Sequence, residues 1–304
     1  MKRKLLYQIC REWKSNLWLA LELLIVSVTV WFLCSFLWAK ISLKIQPMGL
    51  DAENCFAIET GYVDADAPGH SPDDETDETG AGHILTLFDR IRSMPEVESA
   101  ALGVYATPYE LNFMGMEYTT VDREDSLLLS GSNTLTVSPD YVTVFRIKGA
   151  EGESSDKLKE ILEKGDMLIT GKTSVISMKD LRTIDMSDFA AWNRITRAIK
   201  SSEIIGATLS EESPWSADTG KRWKIGGITN PLRRMEFEKP TNTILRPIDF
   251  SDPSKLTSAT IFARVTPDAN DSFRSMVLKE SDNRLRSGNR FVSNVTEIKS
   301  IRER

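Results

Sequence analysis

Leu17 to Ala39 read LWLALELLIVSVTVWFLCSFLWA, 23 residues with one charge, at Glu22, and three hydroxyls. A helix of this length spans roughly 35 Å at 1.5 Å per residue. A hydrocarbon core is about 30 Å thick, so the run is long enough to cross with some tilt. Trp13 and Trp18 at one end and Trp38 at the other stand where interfacial anchors sit. The run exceeds the 7–15 residues of a cleaved signal core, so the expectation is a retained transmembrane helix over 17–39. Glu22 lies about one turn inside, within reach of the inner headgroups or of a partner helix.

Charge sets the orientation. Lys2, Arg3, Lys4, Arg11 and Lys14 precede the run, whereas only Lys40 and Lys44 follow before an acidic stretch. Lys/Arg excess marks the cytoplasmic flank, so the N-terminus is expected inside and the body outside. Residues 1–16 are expected to form a cytoplasmic amphipathic leader, with Leu5, Leu6, Ile9 and Trp13 on one face. The whole chain carries −6; residues 1–40 carry +4, which leaves −10 for residues 41–304. So acidic a body argues against nucleic-acid binding.

The cysteines, Cys10, Cys34 and Cys55, fall inside, within and outside the membrane on this reading, so no intramolecular disulfide is expected. His70 lies in GYVDADAPGHSPDDETDETGAG (residues 61–82), which has seven acidic residues but not the ligand spacing of a calcium loop. Its composition is that of a solvated loop. ITGKTSV at Ile169–Val175 lacks the first glycine of a phosphate loop. Two histidines, His70 and His83, supply a Ser-His-Asp triad poorly. No catalytic residue, metal ligand or cofactor-binding residue is expected in this chain, and it does not read as an enzyme.

The body reads as α+β. Asn54–Thr60 alternates as a strand, His83–Met94 places Ile84, Leu87, Phe88 and Ile91 on one helical face, Pro95 stops that helix, and Val97–Val104 is a second strand. The end repeats the pattern: strand Ser258–Val265, helix Ser272–Arg286, strand Arg290–Val295. Two such β-α-β units can pair into a ferredoxin-like sheet with both helices on one face. Residues 40–104 and 257–304 are thus expected to form one subdomain and residues 105–256 an inserted α/β lobe. The lobe has strands near Leu135–Val137, Asp166–Thr170 and Trp223–Thr229, and helices near Pro139–Arg146, Ser154–Glu163 and Ser187–Ser201. Ser138 is placed to cap the first of these helices, with Pro139 at its first position.

Five phrases in order carry a family resemblance: SMPEVESAALG (Ser93–Gly103), SPDYVTVFRIKGAEGES (Ser138–Ser154), DMLITGKTSV (Asp166–Val175), SEIIGATL (Ser202–Leu209) and WKIGGITNPLRRMEFEKPTNTILRPI (Trp223–Ile248). Together they resemble the MacB-like periplasmic core domain of MacB/FtsX-type ABC transporter permeases. The signature positions are Pro95, Val97, Pro139, Tyr141, Gly152, Gly206 and Gly227, each with an expected packing or turn role. Glu96 departs from the family's glycine there. The resemblance implies a porter-like periplasmic body with an inserted lobe, in a Gram-negative inner membrane. It also implies a homo- or heterodimer of permeases, a separate cytoplasmic ATPase that binds ATP, a periplasmic adaptor, and motion relayed to partners or substrate. Family permeases carry three further membrane helices after this domain, and the chain ends where the second would begin. The rival expectations are a single-pass anchored binding or scaffold protein and, needing a catalytic cluster, an anchored enzyme.

Overall fold

The computed structural model describes residues 13–74, 76–110, 114–185, 187–211, 220–233, 235, 238 and 242–302. It divides into two compact units, Met1–Gln46 and Pro47–Arg304. The first contains helix α1, Trp13–Lys44, which extends beyond the expected span at both ends. Leu17–Lys44 is long and apolar enough to cross a membrane. Within it the Thr29 hydroxyl donates to the Ile25 carbonyl (2.8 Å) and that of Ser42 to Ala39 (3.0 Å), so these polar groups are satisfied on the helix itself. The expected leader falls largely on residues 1–12, outside the described residues.

The second unit opens with β1 (Cys55–Tyr62), α2 (Asp77–Arg92), β2 (Val97–Val104), β3 (Met114–Thr120) and β4 (Leu127–Val137). There follow α3 (Tyr141–Val144), α4 (Ser155–Glu163), β5 (Met167–Thr170), β6 (Lys172–Ser177), α5 (Met178–Leu181), α6 (Phe189–Ile195), β7 (Arg197–Lys200), β8 (Thr208–Ser210) and β9 (Arg222–Thr229). It closes with β10 (Thr243–Pro247), α7 (Pro253–Leu256), β11 (Thr260–Val265), α8 (Asn270–Lys279), β12 (Arg286–Ser287), β13 (Arg290–Glu297) and α9 (Ile298–Arg302).

The two ends of the body build one antiparallel sheet in the order β13-β1-β11-β2. Alternation along its strands sends Phe56, Ile58, Ala100, Leu102, Ile261 and Ala263 to one face, where α2 and α8 supply Ile84, Leu87, Ile91, Phe273 and Val277. Cys55, Ala57, Ala101 and Phe262 point to the other face, against Tyr141, Val142, Phe145, Leu158 and Leu162 of α3, α4 and their flanks. Burial on both faces explains the near-continuous apolar runs of β2 and β11. Each fully buried side chain of this size contributes about 1.5–3 kcal/mol. Helix α2 is held at its start by Thr76, whose hydroxyl accepts the Thr79 N–H at 3.2 Å, with Asp77 and Glu78 in the first turn and Arg90 and Arg92 in the last.

The middle of the chain closes on itself. β4 pairs with β3, β3 with β8, β8 with β9, β9 with β5, β5 with β10, and β10 returns to β4 in parallel. These six strands form a barrel, joined to the end sheet where β2 pairs with β4 at Gly103–Val137 and Val104–Thr136. Its interior holds Tyr118, Leu129, Met167, Ile169, Leu209, Ile225 and Ile244, a packed core of the kind small barrels carry. Outward-facing Leu135, Val137, Leu168 and Leu245 join the cluster under the end sheet.

Several expected elements are corrected. Helix α2 starts at Asp77 rather than His83, because Gly80 and Gly82 read as loop while Thr76 caps; Gly80 packs toward Thr257. The helix expected over 272–286 ends at Lys279, and turns through Ser281–Asn283 carry Leu285 into the core. Residues 197–200 leave the expected helix 187–201 to pair as β7 with β6. Ser138 caps nothing: its hydroxyl accepts the Leu102 N–H (2.9 Å), and the α3 cap position is Asp140. The strand expected at 135–137 runs from Leu127.

Candidate functional sites at the chain-entry corner and the barrel mouth

Arg264 sits on β11 with 3% of its surface exposed. Strand alternation points it at the entry segment of the body. Its Nε donates to the Val144 carbonyl (2.6 Å), Nη1 to Glu53 (2.8 Å) and Nη2 to Asp51 (2.7 Å). The Asp51 carboxylate balances the charge at 3.4 Å and also takes Arg146 at 3.2 Å. One guanidinium therefore joins the first residues of the body, the end of α3 and the central sheet. Residues that enter the body (Met48, Leu50, Ala52) pack in the same apolar cluster as Ile298 and Ile301 of α9.

Cys55 lies across the ladder from Arg264. Its thiol donates toward the Val144 carbonyl at 3.5 Å, and burial pushes its pKa up to about 12 against the opposing pull of the Arg264 charge. The thiolate is the reactive form, so the folded chain should leave Cys55 unmodified. In a full chain with Cys10 and Cys34 replaced by serine, N-ethylmaleimide at pH 8 should label Cys55 only after denaturation. Labelling at the free-thiol rate in the folded state would refute the burial. Because the folded value lies above the ordinary thiol value, the stability linked to this group is complete below pH 9 and declines as pH rises toward 12.

The second site is the barrel mouth. Period-2 alternation places Met116 (β3), Thr136 (β4), Trp223 (β9) and Arg246 (β10) in one inward layer, with Glu211 just past β8. Arg246 is 9% exposed. Its Nε and Nη2 donate to the Thr136 hydroxyl (3.3 and 2.9 Å), Nη1 faces the Met116 sulfur (3.5 Å), and it is ion-paired with Glu211. The guanidinium lies 5.4 Å from the centre of the Trp223 ring, which Tyr118 meets edge-on at 6.3 Å. Above this layer opens a cavity of about 840 Å³ lined by Met114, Met116, Trp223, Phe250, Lys221 and Lys255 among others. Lys221 pairs with Asp249 (3.5 Å) and Asp252 (3.9 Å) on the rim. A cavity with an apolar wall, a charged rim and one buried cation at its floor suits a small molecule of mixed polarity.

The family-signature residues do not converge. Pro95 is exposed in the turn after α2, and Val97 opens β2 beside Val265. Pro139 lines the barrel mouth. Tyr141 is buried, its hydroxyl donating to the Ala106 carbonyl (2.6 Å) and its ring meeting Phe145 (4.6 Å) and Phe262 (5.6 Å). Gly152 (φ +89°) and Gly206 (φ +81°) occupy turns that favour glycine. A Cβ at Gly227 would stand 2.8 Å from Ile161 and Leu168.

The fold does assemble Ser, His and Asp in a row. His83 Nδ1 is 2.9 Å from the Ser287 hydroxyl, and Nε2 is 3.4 Å from the Asp74 carboxylate. The backbone of Gly288 lies against the imidazole, where an added Cβ would come within 2.3 Å of Nε2. The trio therefore ties the acidic loop to the β12–β13 hairpin. His70 takes no part in this trio, and residues 169–175 form a strand-turn-strand with no helix behind a phosphate-binding loop. Arg264, Arg246 and Glu211 were missed by sequence reasoning; an arginine inside an otherwise apolar alternating strand (TIFARV, TILRP) was the available signal.

No protein-family model matches the chain, and no curated protein matches it. Among solved structures, the chain is similar to the crystal structure of the periplasmic region of MacB from Actinobacillus actinomycetemcomitans, with a TM-score of 0.41 and 8% identity over 86% of this chain and 96% of that one.

Proposed function

We propose that this chain is a membrane-anchored extracytoplasmic body of an ABC-type permease or mechanotransmission complex, without catalytic chemistry of its own. The observation that carries the reading is the entry corner. The first residues of the body and its last helix share one apolar cluster, clamped to the central sheet by Arg264. A displacement of the body's first residues would therefore act on a stiff sheet rather than on a loop. We read the order β13-β1-β11-β2 as the ferredoxin-like, porter-type split β-α-β unit, with the barrel as the inserted lobe. The sequence phrases and basic leader add a separate cytoplasmic ATPase, a permease dimer, a periplasmic adaptor and an inner-membrane setting with the N-terminus inside. Two arrangements of the dimer, biased by the ATPase, would move the body.

Two measurements test this on the full chain in its source membranes. Asp66→Cys, on the exposed acidic loop, should react with a membrane-impermeant maleimide in spheroplasts. The detergent-extracted chain should co-elute with a vanadate-sensitive ATPase. Labelling only after lysis would reverse the orientation, and elution without ATPase activity would remove the permease reading. A second reading, an anchored binding protein, is favoured by the cavity at the barrel mouth.

A further inference from the structure

The barrel mouth holds its guanidinium in an unusual way. Thr136 occupies Nε and one edge of Nη2 from behind, Trp223 lies along the ring face, and Nη1 is turned to Glu211. Such a planar fork, immobilised on one side and facing a carboxylate on the other, is the arrangement that recognises carboxylates. Here the resident carboxylate belongs to the chain itself. Met114, Met116, Trp223 and Phe250 supply an apolar, adaptable part of the wall, Phe250 half exposed at the entrance, while Glu163, Arg222 and Lys255 add charge elsewhere in the lining. The rim charges of Lys221, Asp249 and Asp252 are spent on one another.

We propose that the barrel mouth binds a small apolar carboxylate. Its carboxylate takes the place of Glu211 on Arg246, and its apolar part lies on Met114, Met116, Trp223 and Phe250. The proposal rests on the reading of the mouth as a ligand site and adds the ligand's chemistry. Exchange of one carboxylate for another keeps the buried guanidinium paired throughout, which avoids the penalty of an isolated buried charge. The cavity, about 840 Å³, has the volume of sites that enclose small organic ligands.

The test uses the full chain in lipid nanodiscs, with 2-naphthoate and its neutral amide, 2-naphthamide, as probes. Equilibrium dialysis against empty nanodiscs measures binding. Native chain should bind naphthoate more tightly than the amide. Glu211→Gln removes the internal competitor and should tighten naphthoate about tenfold, while Arg246→Gln should abolish the preference for the carboxylate. Glu211→Gln should also melt at lower temperature than the native chain and recover with naphthoate but not with the amide. Where Glu211→Gln fails to fold, the thermal shift of the native chain by naphthoate against the amide decides. Equal binding of both probes would overturn carboxylate recognition and leave the mouth a ligand site; binding of neither would overturn both. Unchanged naphthoate affinity in a folded Glu211→Gln would overturn displacement.

Discussion

Arg264→Ala is expected to destabilise the body by about 3–5 kcal/mol, since it strands the carbonyls of Asp51, Glu53 and Val144 that the guanidinium satisfies. It also leaves the Asp51 carboxylate with Arg146 as its cation partner among the described residues. For a body of this size that loss lowers the melting temperature by roughly 6–20 °C. Arg264→Lys should recover little, because one ammonium cannot reach three carbonyls fanned around a planar fork. Circular dichroism melts of the detergent-solubilised chain measure both variants. A loss below about 1 kcal/mol would mean that the corner is held by its apolar packing alone.

The second large effect is expected at Phe262, two residues before Arg264 on the same face of β11. Its ring meets Tyr141 at 5.6 Å and Phe145 at 5.5 Å, and it covers Gly103, where any Cβ would come within 2.8 Å of the ring. Phe262→Ala empties the centre of the cluster that joins the end sheet to the helices, at about 3–5 kcal/mol. Phe262→Leu keeps most of the volume and should cost less than half as much. The same melts decide. Equal losses for leucine and alanine would show that ring geometry rather than volume matters. Because Phe262 and Arg264 share the corner, the double variant should depart from additivity by about 0.5–3 kcal/mol.

These two residues also bear on the proposed relay. Both lie at the cluster that holds the first residues of the body, so on that proposal weakening either should loosen the entry segment's hold on the sheet. The inward-facing residues of the barrel form their own apolar cluster, while the outward-facing Leu135, Val137, Leu168 and Leu245 belong to the cluster at the corner.

Local patterns made the ends of the chain legible. Helical spacing of Ile84, Leu87, Phe88 and Ile91 followed by Pro95, and the alternation in SATIFARV, require only near neighbours to be read. The membrane-length helix was legible for the same reason, since length and apolarity are properties of one segment. Errors gathered where a local signal served a distant contact. Glycines 80 and 82 read as loop, yet α2 tolerates them because its buried face packs on the sheet. Residues 197–200 follow a helix in sequence, yet their backbone groups are satisfied by β6.

What the sequence by itself determined is an apolar helix long enough to cross a membrane, an acidic body and two β-α-β patterns at its ends. Only the tertiary structure decided that the middle closes into a barrel, because closure rests on the parallel pairing of β10 with β4, more than a hundred residues apart. It alone set Arg246 against Glu211 and Trp223, Arg264 against three carbonyls, and His83 between Asp74 and Ser287. Side chains meet across strands according to register. Register is fixed by which faces are buried together, and no single segment carries that information.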